Sequence, residues 1–345
     1  MLSVSSKILK SRFLLILLFT VAIILTVIYF ADPVKIPVPA FEQLYTSAAA
    51  AHAEKKPYFD KESNHDKKIF DNFDNVTGAE HFIVPNIIHF IRFQTFELDF
   101  VDYMVLLAAL RNHKPDKFFF HTNVENAQFT GKYWGLVQQD EDLWSRIKVL
   151  FLEAPSEIFG QKLSEGWRFY HGSDIGRIHV LMKYGGIYID NDSYVIRSLD
   201  KYRKFEFVVN WDDDQFMGTQ IIIAHKNARF LPLWLDSYRD YRPDKWYYNA
   251  GERPTMEILH RKPELIHRVK GEFGAAVNVS MQLYFDPKFD WRRYDAVHLL
   301  TSHRYYLDPY FNKTPVFNEN NIREYEFPFG EMAREVLDKF NGIIE

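Results

Sequence analysis

The apolar pattern divides the chain into three stretches. Phe13 to Ala31 is an uncharged run of 19 residues. At ~1.5 Å per residue a helix over it would span about 28 Å, close to one bilayer core. Lys7, Lys10 and Arg12 precede the run, and Asp32 and Pro33 follow it. The positive-inside bias therefore predicts a cytoplasmic tail over 1–12, an uncleaved signal anchor over 13–31 and the remainder across the membrane. A cleaved signal peptide would have an apolar region of about 7–15 residues and a small-x-small site, and Tyr29, Phe30, Ala31 make a poor one. Residues 32–80 hold Pro33, Pro37 and Pro39, the alanine run Ala48–Ala51 and a long polar stretch, with no strand period. Such composition reads as a stem.

From 81 to 345, short apolar runs alternate with helical patterns. Strands are expected at Ile87–Phe93, Phe118–His121, Ile147–Leu152, Ile187–Asp190, Phe205–Asn210 and Gln220–Ala224. Helices are expected at Val101–Arg111, Asp174–Lys183, Ala228–Tyr241 and Pro254–Val269. That alternation predicts an α/β fold with parallel strands, whose ligands gather at the strands' carboxyl ends.

Composition narrows the chemistry. Lys and Arg number 42 against 46 Asp and Glu, a formal charge of −4, which argues against a nucleic-acid partner. With no cysteine, thiolate metal sites, thiol nucleophiles and disulfides are excluded. Four N-x-Ser/Thr sequons, at Asn75, Asn191, Asn278 and Asn312, permit glycosylation in a lumenal compartment; Asn191 is expected to be unmodified.

The densest stretch is His171 to Asp200. Three apolar or aromatic residues run into Asp190-Asn191-Asp192 after a double glycine, Gly185-Gly186, which allows a tight turn. In extended chain Asp190 and Asp192 would face one side, and two carboxylates brought together call for a cation or a proton. A hard divalent ion suits oxygen ligands; solvated carboxylates at a strand end are the alternative. Of the two other Asp-x-Asp pairs, neither follows an apolar strand preceded by a double glycine: Asp140/Asp142 reads as a solvated loop or helix start, and Asp212, Asp213 and Asp214, which follow a strand, read either as neighbours of a bound ligand or as a solvated loop. Asp174 and Arg177 lie three apart, neighbours on one helix face. They read either as a surface ion pair with Asp174 as a cap, or as a rigid polar pair held by the apolar face Ile175, Ile178, Leu181 and Met182.

Ser173, Asp174, Arg177, Leu181, Gly185, Gly186, Ile187, Tyr188, Asp190 and Asp192 together resemble the DXD-motif glycosyltransferases, a group that includes α1,6-mannosyl-, α1,4-galactosyl- and α1,4-N-acetylglucosaminyltransferases and the glucosylating bacterial toxins. The upstream Val84–Phe93 is similar to that group's opening strand. The resemblance implies a GT-A-like nucleotide-binding sheet with flanking helices. It implies a retaining transfer from a nucleotide-sugar, usually UDP-linked, with Mn²⁺ or Mg²⁺, to a glycan, glycolipid or glycoprotein. Carried over, Asp190 and Asp192 would hold the metal and the ribose–diphosphate region, Asp174 and Arg177 the donor sugar, and Tyr188, Ile91, Arg92 and Asn191 the nucleotide. His298, in a late strand, would approach the metal, with His303 as the second choice. Arg92 stands where several relatives have tryptophan, and an arginine can lie flat on a base. Trp211, Trp246, Tyr247 and Tyr248 are candidate acceptor-stacking rings, with core packing as the competing reading. Golgi residence follows from anchor, stem and enzyme class together. The alternatives are a non-catalytic, membrane-anchored carbohydrate-binding relative and a haloacid-dehalogenase-type phosphatase; the latter also wants a downstream Gly-Asp-x-x-x-Asp, which is missing.

Overall fold

The computed structural model describes residues 69–310 and 312–341. The anchor expected over 13–31 lies outside the described residues, among which no helix is long and apolar enough to cross a membrane.

The core is a seven-stranded sheet in the order β10-β8-β9-β6-β1-β2-β3. Its strands are β1 (Ile87–Ile91), β2 (Lys117–Thr122), β3 (Ile147–Phe151), β6 (Gly186–Ile189), β8 (Phe207–Asn210), β9 (Ile221–Ala224) and β10 (His267–Val269). A hairpin of β4 (Glu157–Ile158) and β5 (Gln161–Lys162) stands apart. β1 pairs parallel with β2 and with β6, β2 with β3, and β8 with β10; β9 runs antiparallel to both β6 and β8. The chain leaves β1 towards β2 and β3, then returns to place β6 on the other side of β1. The crevice beyond the carboxyl ends of β1 and β6 is therefore a topological switch point, where open α/β sheets bind ligands.

Both faces of the sheet are covered, so its strands read as continuous apolar runs. Ile187 and Ile189 face one core, with helix α1 (Phe100–Asn112), while Tyr188 faces the other. Asp99 caps α1 in a reciprocal box with Asp102. Two short helices, α2 (Lys132–Gln139) and α3 (Glu141–Arg146), lead into β3. On the second face lie α4 (Arg168–Tyr184) and α5 (Phe230–Ser237), which bury Ile175, Ile178, Leu181, Phe230 and Trp234. A second sheet, β11-β12-β7, is built from β11 (Phe273–Gly274), β12 (Ala296–His298) and β7 (Ser193–Val195), and α6 (Val277–Phe285) and α7 (Pro328–Asn341) follow around it.

Three expectations change. α4 begins at Arg168, so Asp174 lies in mid-helix and caps nothing. The helix expected over Pro254–Val269 is instead two wide turns, Tyr248–Glu252 and Thr255–Leu259, then a short 3-10 turn at Pro263–Leu265 and strand β10. Pro263 lacks the N–H a helix needs, and the apolar residues beyond it serve the sheet edge. Thirdly, part of the stretch read as stem packs into the fold. Phe70 is buried against Phe73 and His225, and the Ala79 N–H donates to the Lys204 carbonyl. The Asn75 amide donates to Glu206 Oε1 at 2.7 Å and to the Glu264 carbonyl at 2.9 Å. Its sequon is thus closed to a glycan in the folded chain, because the attachment nitrogen is buried and committed.

Candidate active site

Two elements bring the site together at the switch point. α4 runs into Gly185 and Gly186, whose φ values of +63° and +114° turn the chain directly into β6. A Cβ on Gly186 would lie 2.6 Å from His89 Nε2 and 2.7 Å from the Ile87 carbonyl oxygen, so no other residue fits. The turn lays the second half of α4 along β6. Asp174 and Arg177 thereby reach Asp190, which follows the last residue of the strand.

Arg177 is the hub. Its guanidinium lies 2.9 Å from Asp174 Oδ1 and 3.6 Å from Asp190 Oδ1, donates to the Thr219 carbonyl at 2.6 Å, and stacks 4.6 Å from the Tyr188 ring centroid. The side chains of Arg177 and Asp174 are 7% and 14% exposed, which removes the surface-ion-pair reading. One cation faces two carboxylates. Burial pushes the Asp174 carboxyl up to about 6; Arg177 opposes that rise and Asp190 adds to it. Burial disfavours the Arg177 charge, but Tyr188, Asp174 and Asp190 more than offset this, and the guanidinium stays charged.

Asp190 and Asp192 do not sit in extended chain. β6 ends at Ile189, and the Ser193 N–H returns to the Asp190 carbonyl at 2.9 Å, closing a turn. Asp190 keeps part of its carboxylate in solvent while Tyr188 Oη donates to its Oδ1 at 2.7 Å. Tyr188 itself is buried, so it supports Asp190 from below rather than lining an open nucleotide surface. Asp192 turns towards the second sheet. The antiparallel register pairs Ser193 with His298, and this sets His298 Nε2 3.0 Å from Asp192 Oδ1. The Ser302 N–H reaches Asp192 Oδ2 at 3.3 Å. Burial would raise the Asp192 carboxyl, but the His298 charge and hydrogen bonds hold it far below the usual range. Burial likewise opposes the His298 charge, and Asp192 outweighs it, so the imidazole is raised above its ordinary value. Between His298 and His303, the strand register thus selects His298 as the partner of the acidic motif.

The expected metal trio is corrected in one respect. Among the described residues no group of three or more acid or histidine side chains is placed to hold a metal ion. His298 engages Asp192 instead of an open coordination position. What remains is an oxygen-rich donor set: the outward carboxylate of Asp190, Asp192 Oδ2, and Asn191 Oδ1, which is buried without a partner. Those donors suit a hard divalent ion that keeps several waters, and do not form a closed cage.

The remaining candidates divide. Asn191 Nδ2 donates to the Ile91 carbonyl at 3.0 Å, tying the acidic turn to the end of β1. Arg92 pairs with Asp102 through Nη2 and Oδ2 at 2.9 Å and also donates to the Glu97 carbonyl. Its fork is committed and buried, so stacking on a base is not available to it. Trp211 is buried, with Arg268 4.1 Å from its ring centroid, and Tyr247 Oη donates to the Met217 carbonyl, so neither is a free platform. Tyr248 is half-buried and bonded to Asp240, whereas Trp246 is exposed. Asp140 caps α3, and Asp213 pairs with Arg268 and Lys270, in keeping with solvated structural roles. The Thr219 carbonyl under Arg177 and the exposed Tyr170, Tyr305 and Tyr306 were not singled out from sequence. The only sequence sign of the tyrosines was their clustering with Trp167 and His303 in local aromatic runs.

Known proteins resemble this stretch of the chain. Residues 102–209 match the family described as glycosyltransferase sugar-binding region containing DXD motif. Asp174, Arg177, Asp190 and Asp192 all fall inside the match. The chain therefore carries such a region, and glycosyl transfer is the enzyme class it supports. The Glucan organizing enzyme 1 of Cryptococcus neoformans var. grubii serotype A is 26% identical over 168 residues, 46% of this chain and 43% of that relative. The match thus spans less than half of the relative's length. Among solved structures, the PaToxG glycosyltransferase aligns with a TM-score of 0.37 and 15% identity over 80% of this chain and 94% of its own. The galactosyltransferase LgtC, in complex with donor and acceptor sugar analogues, gives 0.38 and 13% over 72% and 95%. The glycosyltransferase GlyE of Streptococcus pneumoniae TIGR4 in its apo form gives 0.41 and 10% over 74% and 64%.

Proposed function

We propose that this chain, which carries a glycosyltransferase sugar-binding region, moves a hexose from a nucleotide-sugar, with UDP as the expected nucleotide, to a glycan, glycolipid or glycoprotein. The observation that supports the reading is the buried Asp174–Arg177–Asp190 cluster beyond the carboxyl ends of β1 and β6. In this reading the fold is GT-A-like. Asp174 and Arg177 hydrogen-bond the donor sugar: a preorganised guanidinium and a carboxyl poised near neutrality both match hydroxyl groups. Asn191, tied to Ile91, fixes the turn beside the nucleotide. Asp190 and Asp192 would hold Mn²⁺ or Mg²⁺, which when bound supplies neutralisation of the charge growing on the diphosphate leaving group. Transfer with retention needs no protein nucleophile when the acceptor attacks the face that the diphosphate leaves. The segment 13–31 would anchor the enzyme as a single-pass type II protein in the Golgi membrane, with the chain from about Phe70 onwards, which packs into the fold, as its lumenal catalytic domain.

The test uses the full-length chain purified in detergent. It is offered a panel of UDP- and GDP-sugars with and without Mn²⁺, and nucleotide release is measured. Release from at least one donor is expected, stimulated by the metal and reduced at least ~10²-fold in Asp192→Asn, with the far-ultraviolet circular dichroism retained. Absence of release from every donor, or wild-type rates in Asp192→Asn, would remove the reading.

A further inference from the structure

Beside the acidic cluster lies an exposed aromatic surface that packing does not explain. Tyr170, Trp246, Tyr305 and Tyr306 are 48%, 41%, 43% and 57% exposed, although each has the size of a core residue. With His303 they form one contiguous group drawn from three parts of the chain: the first turn of α4, the loop after α5 and the segment that follows β12. The Tyr170 and Trp246 ring centroids are 4.9 Å apart, Tyr170 and His303 5.6 Å, Trp246 and His303 5.8 Å, and Tyr305 and Tyr306 4.1 Å. The group adjoins the acidic cluster at two points. Trp246 and Asp174 line the same shallow depression. Ser302, one residue before His303, donates its N–H to Asp192.

We propose that this surface binds the acceptor, and that the ligand it takes is a pyranose ring of a neutral glycan; the proposal rests on the transferase reading above and names the second substrate's seat. The chemistry favours that ligand on three counts. The rings meet at 66°, 44° and 70°, so they form angled walls rather than a parallel slot. A flat base wants parallel faces, whereas a puckered sugar offers C–H faces to several walls and hydroxyls to the rims. The rims carry tyrosine hydroxyls and an imidazole, which both donate and accept hydrogen bonds. The neighbouring charges nearly balance, Asp174, Asp190 and Asp192 against Arg177, His298 and the Lys245 of the same depression, so no cationic surplus selects an anionic acceptor and a neutral, polyhydroxylated one is unopposed. Tyrosine and tryptophan also supply contact area at low conformational cost, which lets a modest surface bind a small ligand.

The experiment measures binding of methyl β-galactoside, methyl β-glucoside and methyl α-mannoside to the full-length chain in detergent by saturation-transfer-difference NMR. At least one glycoside should receive saturation at its ring C–H protons. Trp246→Ala and Tyr306→Ala should each weaken that binding about tenfold or more, while Trp246→Phe, which keeps a ring, should retain most of it. Tyr306 is the most exposed of the five, so its variant should melt within about 2 °C of the wild type and separates lost binding from lost folding. No saturation of any glycoside by the wild type, or unchanged binding in both alanine variants, overturns the proposal. Nucleotide release from the donor panel keeps the two readings distinct. Glycoside binding without any release removes the transferase and leaves this site standing; release without glycoside binding does the reverse.

Discussion

Asp174 should cost the protein stability at neutral pH. Its carboxyl is raised from 3.8 to about 6, first by burial and then by Asp190, with Arg177 opposing. The folded chain therefore holds the Asp174 proton more tightly than the unfolded chain does. The stability this contributes is complete below pH 3.8 and is lost as pH rises through about 6. A shift of roughly two units at 1.36 kcal/mol each makes the loss up to about 3 kcal/mol. Asp174→Asn removes the proton from the balance and keeps an oxygen for Arg177, which retains Asp190 as its counter-ion at 3.6 Å. With ~2.1 cal/mol/K of unfolding entropy per residue over roughly 270 residues, up to about 3 kcal/mol corresponds to a rise of up to about 5 °C in melting temperature. The assay is calorimetric melting of wild type and variant at pH 7.5 and at pH 4. The variant should melt higher at pH 7.5, the gain should vanish at pH 4, and nucleotide release should fall by ~10²-fold. A lower melting temperature at pH 7.5 would refute the reasoning, since it would mean that the Arg177 pair outweighs the burial of the second carboxylate. So would an equal shift at both pH values.

Three further outcomes follow from the same geometry. His298→Ala leaves the Asp192 carboxylate buried without its cation, a loss of about 3–5 kcal/mol, and calorimetry should show a fall of roughly 5–9 °C. Asp192, held low, contributes stability above pH 3.8 that is lost as pH falls through its folded value; His298, raised, contributes stability below 6.5 that is lost as pH rises through its own. The deficit of His298→Ala should therefore be widest between about pH 4 and 6.5, and a deficit that does not vary with pH would contradict the pairing. Gly186→Ala places a Cβ against His89 and the Ile87 carbonyl at a φ of +114°, so it should lose several degrees of melting temperature, and an unchanged midpoint would deny the tight turn. Finally, Mn²⁺ titrated calorimetrically should bind more tightly as pH rises, because a protonated His298 on Asp192 Oδ1 opposes a second cation at Oδ2, and the dependence should weaken in His298→Gln; affinity constant from pH 5.5 to 8 would deny that opposition.

The sheet was legible because its strands are buried on both faces and announce themselves as short apolar runs bounded by turns; β1, β2, β3, β6, β8 and β9 all fall where the pattern put them, within two residues at either end. β10 was not, since His267–Val269 is only three residues long and follows an apolar stretch whose spacing also suits a helix. Asp174 and Arg177 were found through spacing, yet their burial was invisible: α4 is packed almost all round, so it lacks the polar stripe that would mark an outer face. The Asp192–His298 pair spans 106 residues and depends on the register of a three-residue strand, which no local pattern encodes. Arg92 looked like a base-stacking residue because nothing nearby in sequence marks Asp102, in the first turn of the next helix, as its partner.

These misreadings share a cause that bears on how the site works. Local pattern assigns each charged residue to water, but here the switch point draws three carboxylates, one guanidinium and one imidazole to a single edge. With Asp174 ionised and His298 protonated, that set carries one more negative charge than positive. The protein leaves the surplus in place at a cost in stability, and the Asp174 carboxyl, pushed up first by burial and further by Asp190, moves towards neutrality. A group that is costly at rest and faces a ligand crevice is better explained by what it meets there than by the fold it weakens. A divalent cation arriving at Asp190 and Asp192 would relieve the same surplus, and in doing so would lower the proton affinity of Asp174, leaving it a stronger hydrogen-bond acceptor for a sugar hydroxyl. Cation and sugar would then favour each other's binding through electrostatics alone, with no movement of the backbone required.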